Sequence, residues 1–222
     1  SGASFSGLVA GDTVTASGTT GTFATKQVGT GKTVTLSGTT YGGADAGNYT
    51  FTDQANTTAA ITPKAATLSG LTAADKVYDG TTNATVAHSG ASFSGLVAGD
   101  TVTASGTTGT FATKQVGTGK TVTLSGTTYG GADAGNYTFT DQASTTAAIT
   151  PKALAIDLHG QGTRVYDGTT TILLNSVTPS LTGLVGGDTV NVATGNVTGF
   201  VEKNVGTNKA VTYSGFGLSG AD

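Results

Sequence analysis

Few residues in this chain of 222 could do chemistry. Histidine stands only at His88 and His159, Glu202 is the one glutamate, and there is no cysteine. Neither histidine recurs where the chain repeats itself: His88 aligns with Ser176 and His159 with Leu71. A catalytic or metal-bound histidine needs partners, and neither has a nearby Cys or Glu cluster. Acid–base work needs two carboxylates brought together. Most of the twelve aspartates instead stand beside glycine or at turn positions, where Asp bonds its local backbone. Calcium needs about six to eight oxygens, usually from clustered carboxylates. No Asp-x-Asp-x-Asp run is present, so a calcium site would require Asp79, Asp100 and Asp133 to converge in space. The residues point away from an enzyme and from a bound cofactor, with calcium the one metal kept open.

Composition narrows the class further. Charged residues make up 10% and the net charge is −3, so there is no basic footprint for nucleic acid. No apolar run approaches the ~20 residues of a membrane-spanning helix. The lack of cysteine excludes a disulfide framework. Three prolines and no Gly-X-Y period exclude collagen. Abundant Thr, Val and Gly favour strands and tight turns, so the chain reads as all-β.

Those strands belong to a repeat. Residues 1–65 recur as 89–153, displaced by 88, with one difference: Asn56 becomes Ser144. A diverged third copy follows. Tyr78-Asp79-Gly80 recurs as Tyr166-Asp167-Gly168, and Gly99-Asp100-Thr101-Val102 as Gly187-Asp188-Thr189-Val190. One insertion then shifts the offset to 89, aligning Val116-Gly117 with Val205-Gly206. Solenoids stack units of ~20–45 residues; a period of 88 is long enough to own a core. Proline cannot donate to a ladder and marks strand ends. Pro63 and Pro151 therefore bound a complete unit at 64–151, between a partial unit at 1–63 and a partial, diverged one at 152–222. These are called copies two, one and three below.

Period-2 alternation marks the strands of copy two. It is clear in 101–105, 120–125, 136–140 and 145–150, with further candidates at 66–69, 83–88 and 110–113. The expected core is Leu68, Val77, Tyr78, Val86, Phe93, Leu96, Val102, Phe111, Val116, Val122, Leu124, Tyr137, Phe139 and Ile149. About seven short strands separated by turns suggest an antiparallel two-sheet sandwich. Asp133-Ala134-Gly135-Asn136-Tyr137 and Asp45-Ala46-Gly47-Asn48-Tyr49 match the corner where an immunoglobulin tyrosine bonds back to the backbone. Phe139 stands in the cysteine slot of that pattern, so no inter-sheet disulfide can form. Tyr78-Asp79-Gly80 and Tyr166-Asp167-Gly168 read as tight turns, with the glycines at positive φ and the tyrosines anchored. The expected fold is a series of small immunoglobulin-like antiparallel β-sandwich domains in an elongated rod, with roughly 35–40 Å per unit.

The unit resembles the YDG-type repeats of very large bacterial surface adhesins. The residues that carry the resemblance are 73–82 (Ala-Ala-Asp-Lys-Val-Tyr-Asp-Gly-Thr-Thr), Gly99-Asp100-Thr101-Val102, Gly109-Thr110-Phe111, Asn136-Tyr137-Thr138 and Ile149-Thr150-Pro151-Lys152. Copy three departs at Gly160-Gln161-Gly162-Thr163-Arg164 and at Val201-Glu202-Lys203-Asn204-Val205. Such arrays occur in filamentous-haemagglutinin-like proteins exported by two-partner secretion, some of them biofilm adhesins that bind matrix exopolysaccharide. The resemblance implies an extracellular stalk at the bacterial surface or in the biofilm matrix, exported through an outer-membrane secretion partner. On that reading the repeats are spacers. In the alternative, they themselves bind polysaccharide or identical repeats on other cells. Tyr41 and Tyr129, each before Gly-Gly, are then the aromatic candidates for stacking on sugar.

Overall fold

The computed structural model describes residues 3–159, 163–172, 178–193 and 195–221. Among them the chain is built of strands, with two 3₁₀ turns at Ala46–Asn48 and Ala134–Asn136 and no α-helix. It divides into two compact units. The first comprises Ser1–Gly70, Ala91–Gly106 and Thr127–Gln142; the second comprises Leu71–Gly90, Thr107–Gly126 and Ala143–Asp222. Copy two contributes strands to both.

In the first unit, copy one supplies a three-stranded sheet. Its middle strand, Gly29–Ser37, lies between Thr20–Phe23 and Asn56–Ile61. A second sheet is centred on Lys64–Ser69, with Ser92–Ser94 antiparallel on one side and Tyr137–Thr140 parallel on the other. The strand pairs Thr15–Ser17 with Thr40–Gly42 and Thr103–Ser105 with Thr128–Gly130 are equivalents in copies one and two.

The second unit holds a five-stranded sheet from copy two. Its order is Lys76–Val77, Ser144–Thr150, Gly117–Ser125, Thr108–Phe111 and Asn83–Ala84. Thr72–Ala73 pairs with Val86–Ala87 beside it. Copy three adds three antiparallel pairs: Ala155–His159 with Thr178–Thr182, Val190–Ala193 with Gly217–Gly220, and Asn196–Phe200 with Val211–Ser214.

The all-β expectation holds, but the pairing is mixed where pure antiparallel sheets were expected. Tyr137–Thr140 runs parallel to Lys64–Ser69, and Ser144–Thr150 runs parallel to Lys76–Val77. In copy two the strand that follows the 3₁₀ turn returns alongside the copy's first strand. The predicted strand at 110–113 sits two residues earlier, at Thr108–Phe111. Strands Ser92–Ser94 and Thr128–Gly130 were not read from the sequence, being only three residues long.

The alternation that marked the strands also fixes the core. Val122 and Leu124 face inward while Thr121 and Thr123 face water. In the second unit Val122, Phe111, Ile149, Leu71 and Ala147 are buried; in the first, Leu68, Ala66, Tyr137 and Val34. Gly109 is part of this packing: a Cβ there would meet Val86 Cγ2 at 2.8 Å and Val122 Cγ1 at 3.0 Å. Two expected core residues are not in it. Val77 is 56% exposed because the pairing of Lys76 with Ile149 turns Lys76 to the inner side. Its ammonium lies 5.7 Å from the Phe111 ring centre, and alternation then sends Val77 outward. Val116 is 49% exposed, just before the bulge between Gly117 and Lys120. The aromatics Phe93, Phe139 and Tyr78 are half-buried.

Phe111→Ala should cost about 3–5 kcal/mol by leaving a cavity in this core. Val77→Ser should stay within about 0.5 kcal/mol, as at an ordinary surface site. Urea unfolding of the two variants checks both values.

Candidate functional site

The polar groups that come together most closely surround the aspartate of the Gly-Asp-Thr-Val motif. In copy two a turn closes with Asp100 N–H donating to the Val97 carbonyl at 3.1 Å. Tyr137 crosses over this turn. Its hydroxyl accepts from Val97 N–H at 2.9 Å and donates to Asp100 Oδ2 at 2.7 Å. Asp133 accepts from Thr101 N–H at 2.9 Å. Copy one repeats the arrangement: Tyr49 accepts from Val9 N–H and donates to Asp12, and Asp45 accepts from Thr13 N–H. The corner tyrosines therefore do bond to backbone. The partner lies 40 residues upstream, not at the nearby corner expected from the immunoglobulin pattern. Gly47 and Gly135 lie inside the 3₁₀ turns that set these tyrosines in place, with open space around both.

The remaining partners of these aspartates come from the preceding copy. Lys26 of copy one donates to Asp100 Oδ1 at 2.6 Å and lies 3.0 Å from Asp133 Oδ1. The Val28 N–H donates to Asn136 Oδ1 at 3.0 Å. At the next junction Lys114 of copy two donates to Asp188 of copy three at 3.0 Å. The Tyr78 hydroxyl donates to the same Asp188 oxygen at 2.9 Å, with Lys114 Nζ 5.7 Å from the Tyr78 ring centre. Both lysine–aspartate contacts span 74 residues. The carboxylates are almost fully covered, 7% exposed at Asp100 and 5% at Asp188. Such groups require a charged partner. The Lys26 ammonium, helped by the Tyr137 hydroxyl, holds the Asp100 carboxyl below the usual range. Asp133 is lowered chiefly by the Thr101 N–H and then by Lys26. Lys26 is raised in turn by bonding to Asp100 and Asp133.

The Tyr-Asp-Gly turn sits at this second junction. Gly80 has φ +78°, as expected. A Cβ on it would come 2.7 Å from Val185 Cγ1 of copy three, so a side chain there is blocked by conformation and by the neighbour. Asp79 Oδ1 accepts from Thr81 N–H at 2.9 Å and from Lys76 Nζ at 2.8 Å. These bonds, Lys76 foremost, lower its carboxyl to about 2. Asp167 repeats the turn with Thr169 N–H at 2.9 Å, and Arg164 takes the place of Lys76. Gly168 has open space around it and Tyr166 is 56% exposed.

The other sequence candidates fall elsewhere. Asp100 and Asp133 do converge, but on a lysine ammonium, while Asp79 is taken by Lys76 and Thr81. Among the described residues no group of three or more His, Cys, Asp or Glu is placed to hold a metal ion. Tyr129 stacks on Phe139 at 3.8 Å and its hydroxyl donates to Asp141. Tyr41 stacks on Phe51 at 3.9 Å and donates to Asp53. One face of each ring offered for sugar stacking is thus already covered. His88 bonds Thr107 Oγ1 at 3.0 Å.

Lys26 and Lys114 were not singled out by sequence reasoning. Their signal is the pairing of a Lys-Gln-Val segment with a Gly-Asp segment whose aspartate lies 74 residues after the lysine, which occurs twice.

Tyr78→Phe should destabilise the second unit by about 1.5–3 kcal/mol, since it removes a donor from a covered carboxylate. Tyr166→Phe, at the exposed equivalent, should be near neutral. Chemical denaturation compares them. Asp79 also predicts a pH effect. Its folded pKa lies below the ordinary carboxylate value of 3.8. Its stabilising contribution is therefore fully present above that value and fades as pH falls toward about 2. Asp79→Asn should flatten this acid limb in melting curves taken between neutral pH and pH 2.

A search of curated proteins and one of solved structures each returned no match. A scan against family profiles matches the YDG domain three times, over residues 1–59, 62–147 and 150–222. With nearly its whole length covered, the chain belongs to the YDG domain family.

Proposed function

We propose that these copies are spacer repeats of an extracellular bacterial adhesin, non-enzymatic, which hold a binding region away from the cell during adhesion or biofilm formation. The observation that carries the reading is the recurrence of one junction. Lys26 meets Asp100 and Lys114 meets Asp188 at the same spacing, so copy two presents a donor to its successor and an acceptor to its predecessor. A spacer needs one joint made repeatedly. A catalyst or receptor needs a site that differs from its surroundings. The resemblance to adhesin arrays supplies the extracellular setting and the two-partner export route. No helix among the described residues is long and apolar enough to cross a membrane.

The alternative, in which the repeats bind matrix polysaccharide or each other between cells, draws less support because Tyr41 and Tyr129 are stacked internally. Titration of the chain against a panel of bacterial exopolysaccharides decides between the two. The spacer reading expects no saturable binding and an unchanged response for Tyr129→Ala. Saturable binding lost in Tyr129→Ala overturns it.

A further inference from the structure

The first and last strands of copy two are each held from both sides. The first, Lys64–Ser69, lies in the first unit between Ser92–Ser94 and Tyr137–Thr140. The last, Ser144–Thr150, lies in the second unit between Lys76–Val77 and Gly117–Ser125. Neither is an edge strand that could peel away by breaking a single row of bonds.

The direction of pairing decides how these bonds meet a pull. In both units a strand from the start of the copy runs parallel to one from its end. Lys64 stands opposite Tyr137, and the pairing continues to Thr67 opposite Thr140. Lys76 stands opposite Ile149, and Val77 opposite Thr150. Were an early and a late strand antiparallel, the chain would enter and leave the pair at the same end, and a pull would open the ladder one bond at a time. In a parallel pair the chain enters at one end and leaves at the other. The ladder bonds run between the strands rather than along them, so the same pull loads them together, in shear.

The second pair is fastened further. Tyr78 N–H donates to the Thr150 carbonyl at 2.9 Å, and the Thr150 hydroxyl donates to the Lys76 carbonyl at 3.3 Å. Ala148 N–H donates to Asp75 Oδ1 at 2.6 Å. Packing also opposes sliding. Ala66 and Leu68 on the first strand, and Ala147 and Ile149 on the last, are buried. A slip of one residue would turn each of them toward the other face.

We propose that copy two is a load-bearing clamp: tension that arrives at Lys64 and leaves at Thr150 is carried by two parallel strand pairs, one in each unit. The proposal does not depend on the spacer reading, because any array anchored at one point and gripped at another carries tension along its chain.

Single-molecule pulling of the 222-residue chain tests it. The chain has no cysteine, so handles attach only where cysteines are introduced. Thr62→Cys with Lys152→Cys pulls along the proposed load path. Ser125→Cys with Ser144→Cys pulls on neighbouring ends of the antiparallel strands Gly117–Ser125 and Ser144–Thr150, which should open one bond at a time. At one loading rate, opening along the load path should need at least about twice the force of opening in the second direction. Asp75→Ala removes a fastener from the parallel pair. It should lower the force along the load path and leave the other direction unchanged. Equal forces in the two directions, or a loss in Asp75→Ala of the same size in both, overturns the proposal.

Discussion

The structure depends on a covered carboxylate whose charge is neutralised from the copy before it. Asp100 and Asp188 are nearly sealed from solvent, and removing a carboxylate from water is costly unless an opposite charge and hydrogen bonds replace the solvent. Copy two meets part of the need internally, through the Tyr137 hydroxyl on Asp100. The cation comes from elsewhere, Lys26 for Asp100 and Lys114 for Asp188. Copy two is therefore both half of the joint behind it and half of the joint ahead. This couples the two faces. A change to the acceptor in one copy calls for a matching change in the donor of the copy before it. Copies one and two carry the same donor lysine, and the diverged copy three keeps the acceptor aspartate.

The same economy appears in the sheets. The core of each unit is small, and many strands are only two to four residues long. Hydroxyl pairs across strands supplement it. Ser17 and Thr40 meet at 3.0 Å, Ser105 and Thr128 at 3.1 Å, and Thr108 and Ser125 at 3.2 Å. Cross-strand pairs of this kind contribute roughly 0.2–1 kcal/mol each. Being solvent-exposed they add modestly to stability, but they discriminate between registers, because a one-residue slip replaces every pair. That gives the abundance of Thr a role beyond strand propensity.

The long strands were legible because alternation over Gly117–Ser125 is unbroken: a period-2 signal needs four or more residues to declare itself. Three-residue strands such as Ser92–Ser94 carry no such signal. The repeat was visible at once, and the glycine of the Tyr-Asp-Gly turn was placed correctly at positive φ. What could not be read was direction. Nothing in Tyr137–Thr140 says that it runs parallel to Lys64–Ser69, since parallel and antiparallel strands share the same alternation. Val77 was misplaced for a related reason. A lysine next to a valine suggests the valine faces in, yet the Lys76 stem and ammonium cover the Phe111 ring. The joint escaped because its halves lie 74 residues apart and each half, alone, reads as ordinary turn chemistry.

Copy three shows which features the architecture holds when the sequence drifts. Arg164 stands where copy two has Lys76, and it keeps both duties of that lysine. It lies 6.0 Å from the Phe200 ring centre, as Lys76 lies 5.7 Å from that of Phe111. It also closes the turn by bonding Asp167, the Thr169 carbonyl and the Thr171 carbonyl. Lysine reaches the corresponding turn acceptors with a single ammonium, at Asp79 and Thr81. Arginine spreads the same charge over a planar fork, whose separate N–H groups reach two residues further along the chain, to Thr171. The exchange preserves a cation packed on an aromatic ring beneath a tight turn, while the residues before it, Gly160-Gln161-Gly162-Thr163, share little with their counterparts. What persists through divergence is the electrostatic and packing role at each position, and at the joint that role is set by the neighbouring copy as much as by the copy itself.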